Sequence, residues 1–499
     1  MPARKLPVIT LSDLLAGFAG SQTLPDLPVE GISLDSRRCR SGYVYFALQG
    51  HAVHGLQYAE SAVDNGAVAV VADAADAEQV QALQQARPGL VVVLLEKLRQ
   101  RLGEIAAHYY GNDADAVSMI GVTGTDGKTS VSQFIAYGLH SLGYQSAVVG
   151  TNGWGMYGNL QEAALTTPDA ITLQEQIAAL RKAGATHICM EVSSHALEQY
   201  RCSGINFRVV VLTNLSSDHL DYHKTTEAYA RAKSTLFHLG RPDAAVINAD
   251  DDLGQQLLVS SIAANRLISY GASTGATLNL NTFEQAAAGL QLSFTAGDAE
   301  LHVKTGLIGA FNAENVLAAV GALMGLGLSA ADAAKAMQAV PAVTGRMELF
   351  TLDNNVTAVV DFAHTAKALE SALKAVKGAC AGDVWVVFGC GGDRDRSKRP
   401  AMTGVAAALA DRLVLTTDNP RGEDPQQIFK DMLAGLPEAA NAKVIADRAE
   451  AISHALQNAR SGDVVLIAGK GHEAYQIVGA EKRPFRDQDV VMSSGRVVS

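Results

Sequence analysis

Met119-Ile-Gly-Val-Thr-Gly-Thr-Asp-Gly-Lys-Thr-Ser130 is the stretch whose reading decides the fold. The apolar run from Val117 to Val122 reads as a buried strand. It enters the turn Gly124-Thr125-Asp126-Gly127-Lys128-Thr129, and a helical pattern follows with Phe134, Ile135, Leu139 and Leu142 on one face. A glycine-rich turn between strand and helix lets backbone N–H groups converge on a phosphate chain, and the helix N-terminus adds positive potential. Lys128 supplies a mobile cation for the terminal phosphates, and the Thr129 hydroxyl an oxygen for Mg²⁺. The strict motif puts its first glycine where this chain has Val122; Gly121 and Gly124 flank that position, so the match is a variant. The alternative is a glycine-rich loop with an exposed lysine. The order strand, loop, Lys-Thr, helix weighs against it, and the chain is expected to bind a nucleoside triphosphate.

Outward from this loop, strands alternate with helices, the pattern of an α/β domain. The strand Gln145 to Val149 is followed by Leu165-Thr166-Thr167-Pro168-Asp169, which has the look of a helix start. The strand His187 to Met190 ends at Glu191-Val-Ser-Ser-His195. A carboxylate leaving the C-terminal end of a parallel strand sits where phosphate-loop folds keep their Mg²⁺-binding acid. Valines 209 to 211 and Leu212 form another strand, ending at Thr213-Asn-Leu-Ser-Ser-Asp-His219-Leu-Asp-Tyr-His223. Two histidines beside two aspartates at a strand's end point to a site. Lys233, close to the apolar face of the helix Ala228 to Leu239, reads from the sequence alone as a snorkelling surface residue. The strand Ala245 to Asn248 leads to Asp250-Asp251-Asp252, and a helical stretch begins near Gly309-Ala-Phe-Asn312-Ala-Glu-Asn315.

Before this domain lies a smaller α/β region. It has two strands, Gly31 to Arg37 and Gly42 to Gly50, with a turn between them. Helices at about 56–65 and 77–86 alternate with the strands Ala67 to Ala72 and Leu90 to Leu95. Leu34-Asp35-Ser36-Arg37 by itself reads as a structural turn. After the central domain, from Gly345-Arg346-Met-Glu348, come the strands Thr357 to Val360, Val384 to Phe388, Arg412 to Thr416, Lys443 to Ile445 and Asp463 to Ile467. Four of them end in polar loops: Asp361-Phe-Ala-His364, Gly389 to Arg399, Asp418-Asn-Pro-Arg421 and Gly469-Lys-Gly-His-Glu473. Polar loops at the C-terminal edge of one open sheet make a binding crevice.

A chain of 499 residues exceeds the ~250–300 at which single cores stop growing. Three domains are expected, at 1–110, 111–342 and 343–499. Hydrophobic content of 48% and charged content of 18% describe a globular chain. Five cysteines (39, 189, 202, 380 and 390) without a C-x-x-C pair favour neither a disulfide framework nor a zinc site, which suits a reducing cytosol. No signal peptide is read in Met1 to Gly17, and the apolar helical run Val316 to Leu328 is too short to span a bilayer. A net charge of −11 argues against a nucleic-acid partner while leaving room for an anionic small substrate at local basic clusters.

With these motifs assembled, the chain resembles the Mur ligase family, which makes amide bonds in bacterial cell-wall precursors at the expense of ATP. The resemblance covers nearly the whole length. It rests on Gly124 to Thr129, Glu191 to His195, Thr213 to His219, Lys233, Phe311-Asn312 with Asn315, Gly345 to Glu348, and Asp361 with His364. The loops Phe388 to Asp395, Asp418 to Arg421 and Gly469 to Glu473 are similar to those of the members that add meso-2,6-diaminopimelate. The resemblance implies three domains: a small α/β domain, a phosphate-loop ATPase domain and a C-terminal Rossmann-like domain. It implies a cytoplasmic enzyme acting as a monomer, without membrane or nucleic acid. ATP would phosphorylate the D-glutamate side-chain carboxylate of UDP-N-acetylmuramoyl-L-alanyl-D-glutamate, and meso-diaminopimelate would attack the acyl phosphate.

By the same resemblance, Gly124, Thr125, Asp126, Gly127, Lys128, Thr129, Ser130, Asn312, Arg346 and Asp361 bind ATP. Thr129, Glu191, His219 and Lys233 hold Mg²⁺, Lys233 as a carbamate that turns a cation into an anionic oxygen ligand. That reverses its surface reading. Lys128, Glu191, His219 and Lys233 form the catalytic set. Leu34, Ser36, His51, Ala52 and Val53 hold the uridine end of the substrate, and Thr166, Thr167, Ser193, Gln199, Arg201 and Lys233 its peptide end. Arg394, Asp418, Asn419, Pro420, Arg421, Gly469 and Glu473 take diaminopimelate. Departures from the family pattern are Asp126 for Asn, Phe362 for Tyr, Thr365-Ala366-Lys367 for Thr-Pro-Asp, and a conservative Ser130 for Thr. Asp126 places a carboxylate near phosphate. The rival readings are a lysine-adding sister ligase, a folylpolyglutamate synthetase, and a phosphate-loop switch protein without chemistry.

Overall fold

The phosphate-loop strand, Ser118–Thr123, lies inside a sheet between His187–Glu191 and Phe207–Leu212, parallel to both. These are coordinates of a computed structural model, which describes residues 9–50, 53–112, 117–216, 218–286 and 289–495. The chain divides into two compact units: Met1–Ser269 with Ala322–Leu328, and Tyr270–Gly321 with Ser329–Ser499.

In the first unit the sheet runs Asn159–Gln161, Gly153–Met156, Ser146–Gly150, His187–Glu191, Ser118–Thr123, Phe207–Leu212, Ala244–Asn248. Gly153–Met156 pairs antiparallel with both of its neighbours, and all the remaining pairs are parallel. The parallel strands are near-continuous apolar runs because helices cover both faces. Val209, Val210, Val211 and Leu212 are fully buried, each worth about 1.5–3 kcal/mol relative to exposure. Val122 is paired with Glu191 and Thr123 with Leu212, so the segments leaving these strands emerge at one edge. Helix Lys128–Ser141 returns along the sheet with Phe134, Ile135 and Leu139 buried. Leu142, expected on that face, caps the helix and is 39% exposed, since the helical register ends at Ser141.

The smaller sheet of this unit is Gly31–Ser33, Tyr43–Ala47, Ala67–Asp73 and Val91–Leu95, all parallel. Its first two strands are joined through a short 3₁₀ turn, Ser36–Arg38, in which Asp35 Oδ1 accepts from the Arg37 N–H at 3.0 Å. The reading of this tetrapeptide as a turn thus has a mechanism. Helix Leu98–Tyr110, not among the elements expected from the sequence, buries Leu98, Leu102, Ile105 and Ala106.

The second unit opens with an antiparallel meander, Leu278–Ala286, Gly289–Ala296 and Ala299–Thr305, also unread in the sequence. Its main sheet runs Glu348–Thr351, Thr357–Asp361, Val464–Ala468, Val384–Phe388, Arg412–Leu415, Ala442–Val444. All strands are parallel except the first, an edge strand absent from the sequence reading. The four polar loops therefore do leave from one edge. The fully buried Arg448–Asp487 pair, at 2.7 and 2.8 Å, ties the C-terminal helix Asp487–Ser494 to this sheet, with Arg448 Nη2 also donating to the Ala468 carbonyl. Among the described residues no helix is long and apolar enough to cross a membrane.

Candidate active site

Gly124 and Gly127 have φ of +147° and +83°, the region where glycine belongs. A β-carbon on Gly124 would lie 1.8 Å from Thr213 Oγ1, so the phosphate loop and the segment after Phe207–Leu212 approach more closely than any side chain allows. Thr213 Oγ1 donates to the Asp126 carbonyl at 2.6 Å and Asn214 Oδ1 accepts from the Asp126 N–H at 3.0 Å. These contacts fix the loop backbone while the Asp126 side chain is exposed. Ser130 is buried in the first turn of the helix.

Lys128 Nζ donates to the carbonyls of Gly124 and Thr125 at 2.9 and 2.8 Å. Lys233 Nζ donates to the same Gly124 carbonyl at 2.6 Å and lies 4.3 Å from the centre of the Tyr229 ring. Its side chain is 1% exposed, which corrects the snorkelling reading. Burial, and then the charge of Lys128, holds the Lys233 amine well below the usual lysine range. Two ammonium groups on one carbonyl are a frustrated pair, and a neutral amine or an anionic derivative of Lys233 resolves it.

Glu191, at 1% exposure, accepts from the Thr129 hydroxyl at 2.9 Å, the Thr151 hydroxyl at 3.0 Å and the Thr151 N–H at 2.7 Å. Gly150 makes room for it, since a β-carbon there would sit 2.3 Å from Glu191 Oε1. A hydroxyl and a carboxylate, both hard oxygen donors, within hydrogen-bond reach of each other suit Mg²⁺, which takes one or two protein oxygens and completes its shell with water and phosphate. His219 is on a half-exposed turn at φ +53°, its ring 5.0 Å from His195 and 6.1 Å from Tyr229. Among the described residues no three His, Cys, Asp or Glu groups form a ready metal cage.

The residues expected at the peptide end form one network with Glu191. Thr166 Oγ1 is 3.0 Å from Thr151 Oγ1. Thr167 Oγ1 donates to the Glu191 carbonyl at 2.8 Å and accepts from the Ser193 N–H at 3.1 Å. Arg201 Nη1 donates to the Thr167 carbonyl at 2.8 Å, and its Nη2 to Gln199 Oε1 at 2.8 Å. Gln199 Nε2 donates in turn to the Tyr222 hydroxyl at 3.0 Å. Leu34 packs against the core of the small sheet, Ser36 is buried and Val53 is exposed. His51 and Ala52 lie outside the described residues.

In the second unit, Asp361 accepts from the Met347 and Ala363 N–H groups, both at 2.8 Å. Burial raises its pKa, with the nearby Arg346 pulling the other way. The Arg346 guanidinium lies 4.5 Å from the centre of the Phe362 ring, which also meets His364 and His472. The missing tyrosine hydroxyl thus leaves a cation-bearing aromatic face. Asn312 Nδ2 donates to the Ile308 carbonyl at 2.7 Å, and Asn312 Oδ1 accepts from Asn315 at 3.0 Å. At the far side of the crevice, Asn419 Nδ2 and Lys470 Nζ both donate to Glu473 Oε2 at 2.8 Å. Burial works against the Glu473 charge, but Lys470 and these bonds outweigh it and lower its pKa. Asp418 is pushed up by burial. A β-carbon on Gly469 would lie 2.8 Å from its Oδ2. Arg421, at φ +51° behind the buried Pro420, donates through Nη1 to the carbonyls of Gly392 and Asn419, leaving its Nε and Nη2 edge without a partner among the described residues. Arg394 is exposed.

The Mur ligase family, catalytic domain, matches residues 28–110; the Mur ligase middle domain matches 122–323; the Mur ligase, glutamate ligase domain, matches 345–471. The chain belongs to the Mur ligase family. Among curated relatives of this Mur ligase, UDP-N-acetylmuramoyl-L-alanyl-D-glutamate--2,6-diaminopimelate ligase of Vibrio vulnificus is 43% identical over 493 residues, 96% of this chain and 97% of that one. The protein of the same name from Chromobacterium violaceum is 44% identical over 464 residues, 92% and 93% of the two chains. A solved structure of a ligase of that name superposes with a TM-score of 0.70 at 35% identity, covering 98% of both chains.

The fold of this Mur ligase brings together most of the residues singled out in its sequence, each within its own unit. Thr151 went unread, though the signal was present: it follows a parallel strand at the same edge as Glu191. Tyr222, Tyr229 and Lys470 were missed because each also meets a group distant in sequence: Gln199 for Tyr222, Thr125 for Tyr229 and Asn419 for Lys470.

Proposed function

We propose that this protein is an ATP-dependent, ADP-forming ligase that joins meso-2,6-diaminopimelate to the D-glutamate side-chain carboxylate of UDP-N-acetylmuramoyl-L-alanyl-D-glutamate in peptidoglycan precursor synthesis. It works in the cytoplasm as a monomer, with domains at 1–110, 111–342 and 343–499. The observation that carries the reading is Arg421: in a chain so similar to diaminopimelate ligases, a stiffened loop presents half of an arginine fork. Diaminopimelate differs from lysine by one carboxylate at the end of the side chain. A buried carboxylate without a partner is costly, and a guanidinium binds it through two parallel hydrogen bonds.

In the mechanism, a carboxylate oxygen of D-glutamate takes the γ-phosphoryl group of ATP, giving acyl phosphate and ADP. The free amine of diaminopimelate, having lost its ammonium proton, attacks the acyl carbon, and phosphate leaves from the tetrahedral intermediate. No covalent enzyme intermediate is needed, so the protein's work is positioning and charge neutralisation. Lys128 swings from its loop carbonyls to the β- and γ-phosphates, and the loop N–H groups cradle them. Thr129, Glu191, His219 and Lys233 would hold Mg²⁺, which neutralises charge on the transferring phosphoryl group when bound. The depressed pKa of Lys233 supports a carbamate there, because the neutral amine is the form that adds CO₂. Asn312, Arg346 and Asp361 serve the nucleotide. Leu34, Ser36 and His51 to Val53 hold the uridine end; Thr166, Thr167, Ser193, Gln199 and Arg201 orient the peptide. Glu473 accepts from the substrate ammonium group, with Asn419 and Lys470 steering it, and Arg394 reaches its carboxylate.

Phosphate release measured with the uridine dipeptide and the amino acid, together and singly, tests this reading. Release that needs both supports it. Release indifferent to both would instead describe a phosphate-loop switch.

A further inference from the structure

We infer that Glu423, clamped by Arg399, is a specificity-determining positioning residue: it holds the loop carrying Arg394 against the loop carrying Arg421 and so sets the spacing of the amino-acid site. The inference rests on the diaminopimelate reading above and names a residue that touches no substrate.

Arg399 lies in helix Lys398–Leu409 with its side chain 1% exposed. Its Nη1 and Nη2 donate to Glu423 Oε1 and Oε2 at 2.7 and 2.6 Å, a bidentate fork. Nη1 also donates to Asp431 at 2.8 Å and Nη2 to the Gly391 carbonyl at 3.2 Å. The Arg399 hydrogen bonds hold the Glu423 carboxyl down to about 2, so it is charged throughout the working pH range. Glu423 Oε2 accepts as well from the Asp393 N–H at 3.1 Å, and Asp393 Oδ2 accepts from the Gly422 N–H at 3.0 Å. On the other side of Arg421 the Gly392 N–H donates to the Asn419 carbonyl at 3.0 Å, and Arg421 Nη1 itself reaches the Gly392 carbonyl at 3.0 Å, so the two loops are laced together around it.

The lacing works against backbone strain. Asp393 and Arg421 both sit in the left-handed region, at φ +53° and +51°, and a β-carbon on Gly392 would lie 1.9 Å from the Pro420 carbonyl oxygen. Non-glycine residues persist there only where surrounding contacts over-determine them. Arg394 follows Asp393 directly and Arg421 precedes Gly422, so each cation is one residue from a laced backbone group. Recognition of an amino acid charged at both ends depends on a fixed distance between the groups that grip it. An error of ~1 Å in such a site costs on the order of 10²-fold.

The test uses Glu423→Gln, which keeps the shape but turns an N–H₂ group toward the Arg399 fork, and Asp393→Gly, which suits the left-handed φ and removes only the bond to Gly422. The unmutated enzyme is measured first; inactivity with diaminopimelate there overturns the substrate reading and this inference with it. Given an active parent, the expected result for Glu423→Gln is a KM for diaminopimelate raised about 10- to 100-fold, with kcat and the KM values for ATP and the uridine dipeptide little changed. The preference for diaminopimelate over lysine should fall by a similar factor. Asp393→Gly should move the same parameters in the same direction, less far, and decides alone if Glu423→Gln does not fold. An unchanged KM for diaminopimelate, or a common decline of kcat and all three KM values, would overturn the latch while leaving the ligase reading intact.

Discussion

Replacing Lys233 by alanine separates catalysis from folding, because the structure bounds both effects. Lys233 and Lys128 share the Gly124 carbonyl at 2.6 and 2.9 Å, so the sum of those distances, 5.5 Å, limits the separation of their nitrogens. Two positive charges at that range repel by about 3 kcal/mol at an effective dielectric near 20. In CO₂-free buffer, where Lys233 carries no carbamate, the native state bears a cost that alanine removes, whether the amine keeps its proton against this repulsion or gives it up. Against that gain stands the buried stem, whose three lost methylenes are worth about 2.4 kcal/mol at ~0.8 kcal/mol each. The two terms nearly cancel, and the melting temperature should move by only a few degrees. Turnover should fall far more, by on the order of 10²–10³, as for loss of one preorganised electrostatic partner of a transition state. The assay is phosphate release at saturating substrates, with and without bicarbonate. Bicarbonate should not help the alanine variant, whereas a short-chain carboxylate should partly restore it by replacing the oxygen ligand. Full activity of a folded Lys233→Ala enzyme would refute the role assigned to this lysine.

Lys128→Ala should leave the fold intact and lower turnover about 10³-fold or more, since no other side chain of the loop carries a positive charge to the phosphates; near-parental kcat would remove the phosphate-loop assignment. In CO₂-free buffer the unfolded chain keeps the Lys233 proton up to the ordinary 10.5 while the native state releases it well below, so the unfolded state binds more protons in that window and stability rises with pH. Denaturant titrations at about pH 7 and about pH 9 should show the parent gaining on Lys233→Met, and parallel slopes would contradict the depressed pKa. Asp487→Ala strands the buried Arg448 guanidinium and should cost about 3–5 kcal/mol in the same titrations; a loss under about 1 kcal/mol would mean the pair is not the anchor of the C-terminal helix. Arg421→Ala should raise KM for diaminopimelate steeply and narrow its advantage over lysine, and an unchanged ratio would show that another group reads the carboxylate.

What the sequence made legible were places where one strand ends. Glu191, Asp361, Asp418 and Gly469 each follow an apolar run, and parallel pairing carries all such ends to a sheet edge, so local reading located them. Lys233 was illegible from its residues because a lysine stem gives the same helical pattern whether it snorkels outward or is buried; the Gly124 carbonyl 109 residues away decides it. The Arg399–Glu423 fork hides for the same reason, spanning 24 residues from the first turn of a helix to a loop. The meander from Leu278 to Thr305 has strands with largely exposed faces, a weak signal beside the apolar runs of the parallel sheets. Glu348–Thr351 became an edge strand through its antiparallel pairing with Thr357–Asp361, which no period in four residues could reveal.

The central claim, that this Mur ligase joins diaminopimelate to the uridine dipeptide, meets its most direct test in competition. With ATP, Mg²⁺ and the uridine dipeptide supplied, meso-diaminopimelate and lysine are offered together at equal concentration and the amide products are separated by mass. The diaminopimelate tripeptide is expected in large excess, with kcat/KM favouring it by on the order of 10⁴, because lysine would leave the Arg421 fork unpaired. Equal formation of the two products would contradict the specificity, and formation of neither would contradict the reaction.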